Sequence, residues 1–196
     1  LDYILAAPCY EKTCGDTRKK VYILRNDNGK FVLWKTLDGF KWPRKAGLAD
    51  FDNNGYLDFW VADSGPDYPP FPGSEIGIVY FYKDSAVTKY IPNSVAYNHT
   101  ASTGDIDNDG DIDIVTVDYK YLNDGKGNFT KSKALFASLE DTISNVGSGY
   151  FHHELIDLNN DGLIDFVTTG DDMGPCGTNG EITYLKFFEN DGSDNY

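Results

Sequence analysis

Apolar residues along this chain fall in short runs such as "KVYIL", "LDFWVA", "GIVYFY", "IDIVTV", "IDFVTT" and "ITYLKFF", rich in β-branched or aromatic side chains and bounded by Gly, Asn, Asp or Pro. Runs of that kind predict strands separated by turns. Three of them directly follow stretches in which acidic or amide residues recur at every second position: "ADFDNNGYLDFWVAD" (49–63), "GDIDNDGDIDIVTVD" (104–118) and "IDLNNDGLIDFVTTG" (156–170). These polar loops start at Asp50, Asp105 and Asp157, giving offsets of 55 and 52 residues. A repeat of that length marks stacked supersecondary units. The opening "LDYILAA" matches "LDFWVAD" in residue type, so Leu1 and Asp2 read as the last positions of a fourth loop and the chain reads as starting within a repeat.

The segments "KVYILRNDNGKFVLWKTL", "GIVYFYKDSAVTKYI", "KYLNDGKGNFTKSKAL" and "ITYLKFFENDGSDNY" each run from an apolar strand into a polar turn, with Asn-Asp-Gly or a close variant in three of them. Such turns join hairpins. Each repeat therefore reads strand A, acidic loop, strand B, variable loop, strand C, tight turn, strand D, which is a four-stranded antiparallel propeller blade. The expected fold is all-β, one β-propeller segment over 1–196, with blades at about 1–46 (partial), 47–97, 98–145 and 146–196 (partial). Two incomplete end blades leave open faces and edges, which a propeller avoids by closing its ring. Further blades of the same protein, or another copy of the chain, are the expected means of closure.

The loops carry the candidate chemistry. In the second, Asp105, Asp107 and Asp109 at positions 1, 3 and 5 point carboxylates at one centre, Gly110 at position 6 allows a sharp turn, the Asp111 carbonyl at position 7 adds an oxygen and Asp113 at position 9 closes the cage. The corresponding sets are Asp50, Asp52, Asn54, Tyr56 and Asp58, and Asp157, Asn159, Asp161, Leu163 and Asp165. All-oxygen, partly ionised sets without His or Cys select a hard cation, Ca²⁺ before Mg²⁺, because Ca²⁺ accepts about six to eight oxygens in flexible geometry. Three Ca²⁺ sites are expected. An EF-hand or dockerin starts similarly but needs a bidentate Glu at position 12 and flanking helices, whereas here that position is Val61, Thr116 or Thr168 within a strand-forming run. Plain Asp/Asn/Gly turns are the bland alternative; three copies with the same ligand positions weigh against it.

The pattern D-x-[DN]-x-[DN]-G-x-[LI]-D followed by a strand resembles the FG-GAP and VCBS repeats, the calcium-loop blades of the integrin α-subunit propeller and of many secreted proteins, and "LDYILAAP" is similar to the stretch ending in Gly-Ala-Pro. The resemblance covers nearly the whole chain. It implies a calcium-binding propeller segment serving as an extracellular binding or adhesion scaffold; a propeller-type carbohydrate-active enzyme of the polysaccharide-lyase kind and a propeller lectin are the alternatives.

Composition changes this picture little. The chain has 196 residues, 40% hydrophobic, enough for a sizeable core, and no apolar run of the roughly eighteen residues that a membrane span requires. Three bound Ca²⁺ would raise the net charge of −14 by six to −8. No basic stripe is present, so nucleic acid is not an expected partner. In an antiparallel meander the long B-to-C loops "APCYEKTCGDTRKK", "DSGPDYPPFPGSEIG" and "GDDMGPCGTNGE" emerge on the face opposite the acidic loops. A protein or glycan ligand is expected there, with Tyr10, Arg18, Tyr68 and Phe71 as contacts. Cys9 and Cys14 share one loop and leave Cys176 odd. Asn98 and Asn128 head N-glycosylation sequons. His152 and His153 precede the third loop, where alternation sends one imidazole inward as a packing residue, and no catalytic residue is assigned.

Overall fold

The computed structural model describes residues 3–7, 20–40, 42–64, 73–83, 85–96, 98–116, 119–133, 152–169 and 185–192, and every regular element among them is a strand. Among these residues no helix is long and apolar enough to cross a membrane. The chain divides into two units, residues 1–48 with 58–98, and residues 49–57 with 99–196.

The first unit holds two antiparallel sheets. Strands β1 (Tyr3–Ala7), β2 (Lys20–Asp27) and β3 (Lys30–Leu37) follow one another in space as in sequence. Asn28 and Gly29 make the β2–β3 turn with φ of 52° and 87°, the positive values that a two-residue hairpin loop demands and that Asn and Gly tolerate best. The second sheet runs β4 (Pro43–Ala49), β5 (Asp58–Asp63), β6 (Gly77–Tyr82) and β7 (Ser85–Tyr90), again in chain order. Alternating residues Val21 and Ile23 of β2 meet Phe59 and Val61 of β5 and Val79 of β6 in one apolar core, with Leu37 and Phe40. Trp34 stacks on Phe81 at 5.6 Å between ring centroids, so the two sheets of this unit face one another. Gly47 lets the indole of Trp60 lie against β4, since a Cβ there would come within 2.6 Å of the ring.

The second unit repeats the arrangement. Strands β8 (Ala101–Gly104), β9 (Asp113–Thr116), β10 (Tyr119–Asn123) and β11 (Phe129–Lys133) form a four-stranded meander, and β12 (His152–Ile156), β13 (Asp165–Thr169) and β14 (Leu185–Phe188) a three-stranded one. Ile106, Val115 and Phe166 form the buried centre, with Leu122, Leu155, Ile164 and Phe188 packed around it. Phe51, from the segment that this unit takes from the first acidic loop, packs edge-on against Phe129. The acidic stretches are the connections between β4 and β5, β8 and β9, and β12 and β13, as the A-to-B assignment expects. The four-strand order expected of a complete repeat is that of β4–β7 and of β8–β11.

Burial sets the cost of substitution. Phe59 is wholly buried, whereas Phe31 on β3 is 53% exposed. Phe59→Ala should cost about 3–5 kcal/mol, while Phe31→Ala should stay within about 0.5 kcal/mol of the parent. Equilibrium urea unfolding of the two variants checks the contrast.

Candidate metal centre

Each acidic loop is built by the same local hydrogen bonds. The position-1 carboxylate turns inward and accepts two backbone N–H groups: Asp50 from Asn54 and Gly55 (3.1 and 2.8 Å), Asp105 from Asp109 and Gly110 (3.1 and 3.0 Å), Asp157 from Asp161 and Gly162 (3.2 and 3.0 Å). The position-5 side chain accepts from the N–H of position 7, Asn54 from Tyr56, Asp109 from Asp111 and Asp161 from Leu163. Winding this tightly needs two residues in the left-handed region. Gly55, Gly110 and Gly162 at position 6 have φ of 85°, 93° and 89°, and Asn53, Asn108 and Asn160 at position 4 have φ of 53°, 59° and 61°. Asn is among the few residues with a side chain that enter this region at little cost, which is why position 4 is Asn in all three copies.

The position-9 aspartate opens the following strand and is fully buried in every copy, at Asp58, Asp113 and Asp165. Asp113 accepts the N–H of Ile106 in its own loop (3.0 Å) and of Asn123 at the end of β10 (2.8 Å). Asp165 does the same with Leu158 and Asn190 (2.8 and 2.9 Å). Asp58, in the first unit, accepts from Phe81 at 2.8 Å. Position 9 thus ties the loop to the third strand of its sheet, a role beyond the cage closure expected from spacing.

The electrostatics of the second loop are unfavourable without a cation. Asp105, Asp107 and Asp109 each place a carboxylate oxygen within 4.8 Å of the others. Burial and then the Asp109 charge push the Asp107 carboxyl above its ordinary range. Burial pushes Asp113 up to about 7, the charges of Asp107 and Asp109 adding to the rise against the pull of its two backbone bonds. In the first loop Asp50 and Asp52 approach within the same 4.8 Å, and Oδ1 of Asp52 is shielded from solvent with no hydrogen-bond partner. A buried carboxylate oxygen left without a donor is costly, and a hard cation fits that vacancy of charge. The third loop is looser: Asn159 turns its amide to Asp161 at 2.9 Å, and Asp157, Asp161 and Asp165 do not gather as closely.

Two residues with a structural part in this centre lie outside the loops and escaped the reading by spacing. The amide of Asn123 donates to the carbonyls of Phe51 and Ile112 (2.8 and 3.1 Å), and that of Asn190 to Ile164 (3.3 Å). Their shared signal is the Asn-Asp-Gly at 123–125 and 190–192. The remaining candidates resolve as follows. His153 is buried on Phe166, with Nε2 at 3.0 Å from the carbonyl of Val115, and His152 is exposed. This is the packed and outward pair that alternation predicts. The sequon residue Asn98 is buried, its amide donating to Ser74 and Ser94, while Asn128 is exposed. Tyr10, Arg18, Tyr68, Phe71, Cys9, Cys14 and Cys176 lie outside the described residues.

With the geometry in place, comparison with protein families finds a match of residues 105–168 to the FG-GAP-like repeat. The matched segment starts at the first residue of the second loop and ends four residues inside β13, so it includes two of the three acidic loops. No curated protein sequence matches the chain.

The raised carboxyl of Asp113 makes the metal-free protein sensitive to pH. Because the folded state holds this proton more tightly than the unfolded chain, the stabilisation is fully present below about pH 4 and lost as pH rises through about 7. Melting temperature measured in chelator should fall across that window. Asp113→Asn should start lower, having lost one acceptor, and vary less with pH.

Proposed function

We propose that this chain is a segment of a calcium-stabilised β-propeller that serves as a binding or adhesion scaffold outside cells. The observation that carries the reading is the convergence of Asp105, Asp107 and Asp109 within 4.8 Å, at the start of a segment that matches an FG-GAP-like repeat. Calcium would be held by these side chains, the Asp111 carbonyl and the buried Asp113, and by the corresponding positions of the other two loops. The ion would supply positive charge where the fold concentrates carboxylates. The successive antiparallel meanders are the units from which propeller blades are built, and further blades or a second copy would complete the ring. Loops with oxygen-only sets of moderate charge suit the calcium concentrations outside cells.

Calorimetric titration of the chelator-treated protein with Ca²⁺ should show uptake, and saturation at about a hundred times the dissociation constant should stabilise the fold by roughly 2.7 kcal/mol per site. The Asp105 loop, with carboxylates at positions 1, 3, 5 and 9, should bind tightest, and Asp107→Ala should remove that site while leaving the others. No heat of binding, together with an unchanged melting temperature, would refute the calcium reading.

The ligand face would be the one opposite the acidic loops. Its partner would be a protein or a glycan held by the long loops that carry Tyr10, Arg18, Tyr68 and Phe71, supported by the rigid strands from which those loops spring. Replacing residues 66–72 with a short Gly-Ser loop should leave calcium uptake and melting temperature unchanged and abolish retention on a glycan array or on immobilised matrix proteins. Retention that survives the replacement but is lost in a folded Asp107→Ala variant would move the ligand to the calcium face.

A further inference from the structure

We propose that the acidic loops beginning at Asp50 and Asp105 bind calcium as a linked pair, coupled through a hydrogen bond from Asn53 to Asp111. The inference rests on the calcium reading and adds to it the communication between two sites. Asn53 sits at position 4 of its loop, between the candidate ligands Asp52 and Asn54, with a left-handed backbone and an exposed side chain. Its Nδ2 donates to Oδ1 of Asp111 at 2.7 Å and lies 3.4 Å from the carbonyl of Gly125. Asp111 is position 7 of the second loop, whose backbone carbonyl is the expected ligand. The side chain therefore reaches the neighbouring loop while the main chain serves its own.

The surroundings are shaped for this contact. A Cβ at Gly125 would stand 2.4 Å from Oδ1 and 2.7 Å from Cγ of Asp111, so only glycine lets the β10–β11 turn close over the carboxylate. Beneath it the Asn123 amide grips Phe51 in the first loop and Ile112 in the second. Two amides thus span the same pair of loops, one exposed and one buried. The third loop makes the contrast: its position 7 is Leu163, which lies 3.5 Å from where a Cβ on Gly192 would stand and offers no side-chain acceptor to Asn108. The side-chain link is a property of the first pair.

Linkage gives the consequence. An ion in the first loop fixes residues 50–54, hence Asn53, hence Asp111, so the second ion meets a loop that has already lost part of its freedom and binds more tightly; the reverse holds by reciprocity. The contact is exposed, which places the coupling at the low end of the usual range, about fivefold in affinity.

Amide NMR of Gly55 and Gly110 reports the two loops separately during titration with Ca²⁺ alone. Disabling the second loop with Asp107→Ala should weaken the titration read at Gly55 about fivefold. Asn53→Gly, which keeps the left-handed backbone without the donor, and Asp111→Leu, which copies the third loop, should each abolish that dependence while both glycine signals still titrate. Melting curves in chelator establish that the variants are folded. A Gly55 titration unmoved or strengthened by Asp107→Ala, or a dependence that survives in both Asn53→Gly and Asp111→Leu, overturns the coupling. If neither glycine responds to Ca²⁺ in the parent protein, the calcium reading itself fails.

Discussion

A carboxylate without solvent exposure stands at the head of the second strand in each acidic repeat, and the corner of the sheet depends on it. Burying a charged group is expensive unless hydrogen bonds replace its water, and Asp113 and Asp165 meet that demand with one N–H from the loop and one from the third strand. The two oxygens of one side chain thereby fix where the loop leaves the sheet and where the third strand ends. Asn123 and Asn190, the residues whose N–H groups are taken, use their amides to hold the carbonyls next to the loops. Sheet, loop and hairpin turn are joined by this one exchange of bonds.

The same exchange leaves the loop electrostatically unfinished. Backbone N–H groups satisfy Asp105 and one oxygen of Asp109. Asp107 lies between like charges, which together with burial lift its carboxyl. Asp113 is lifted further, to about 7. Protons and cations are alternative answers to one excess of negative charge, and the features that make the corner compact also concentrate that charge.

Much of this was legible along the chain. The strands and the positions of the acidic loops follow from residue type and period, because strand formation and tight turns are decided within a few residues. The order of strands within β4–β7 and β8–β11 is that of the antiparallel meander that the repeat predicts. That one of His152 and His153 turns inward followed from alternation, and the structure shows that it is His153. Spacing was also enough to gather Asp105, Asp107 and Asp109, since alternate residues of one tight loop share a centre.

Sequence by itself therefore determined the elements, the repeat and the identity of the candidate ligands. Only the tertiary structure decided what each of them does to its neighbours. The grip of Asn123 on Phe51 and the reach of Asn53 to Asp111 join residues 72 and 58 positions apart, and no local pattern encodes such a contact because it depends on how successive repeats stack. The second role of Asp113, as a double acceptor beneath the loop, needs β10 to end beside it. Asn98 likewise looks like a modification site along the chain, yet its amide is spent on Ser74 and Ser94 in the interior. Local spacing fixes which groups are available; packing fixes which of them still have a free valence.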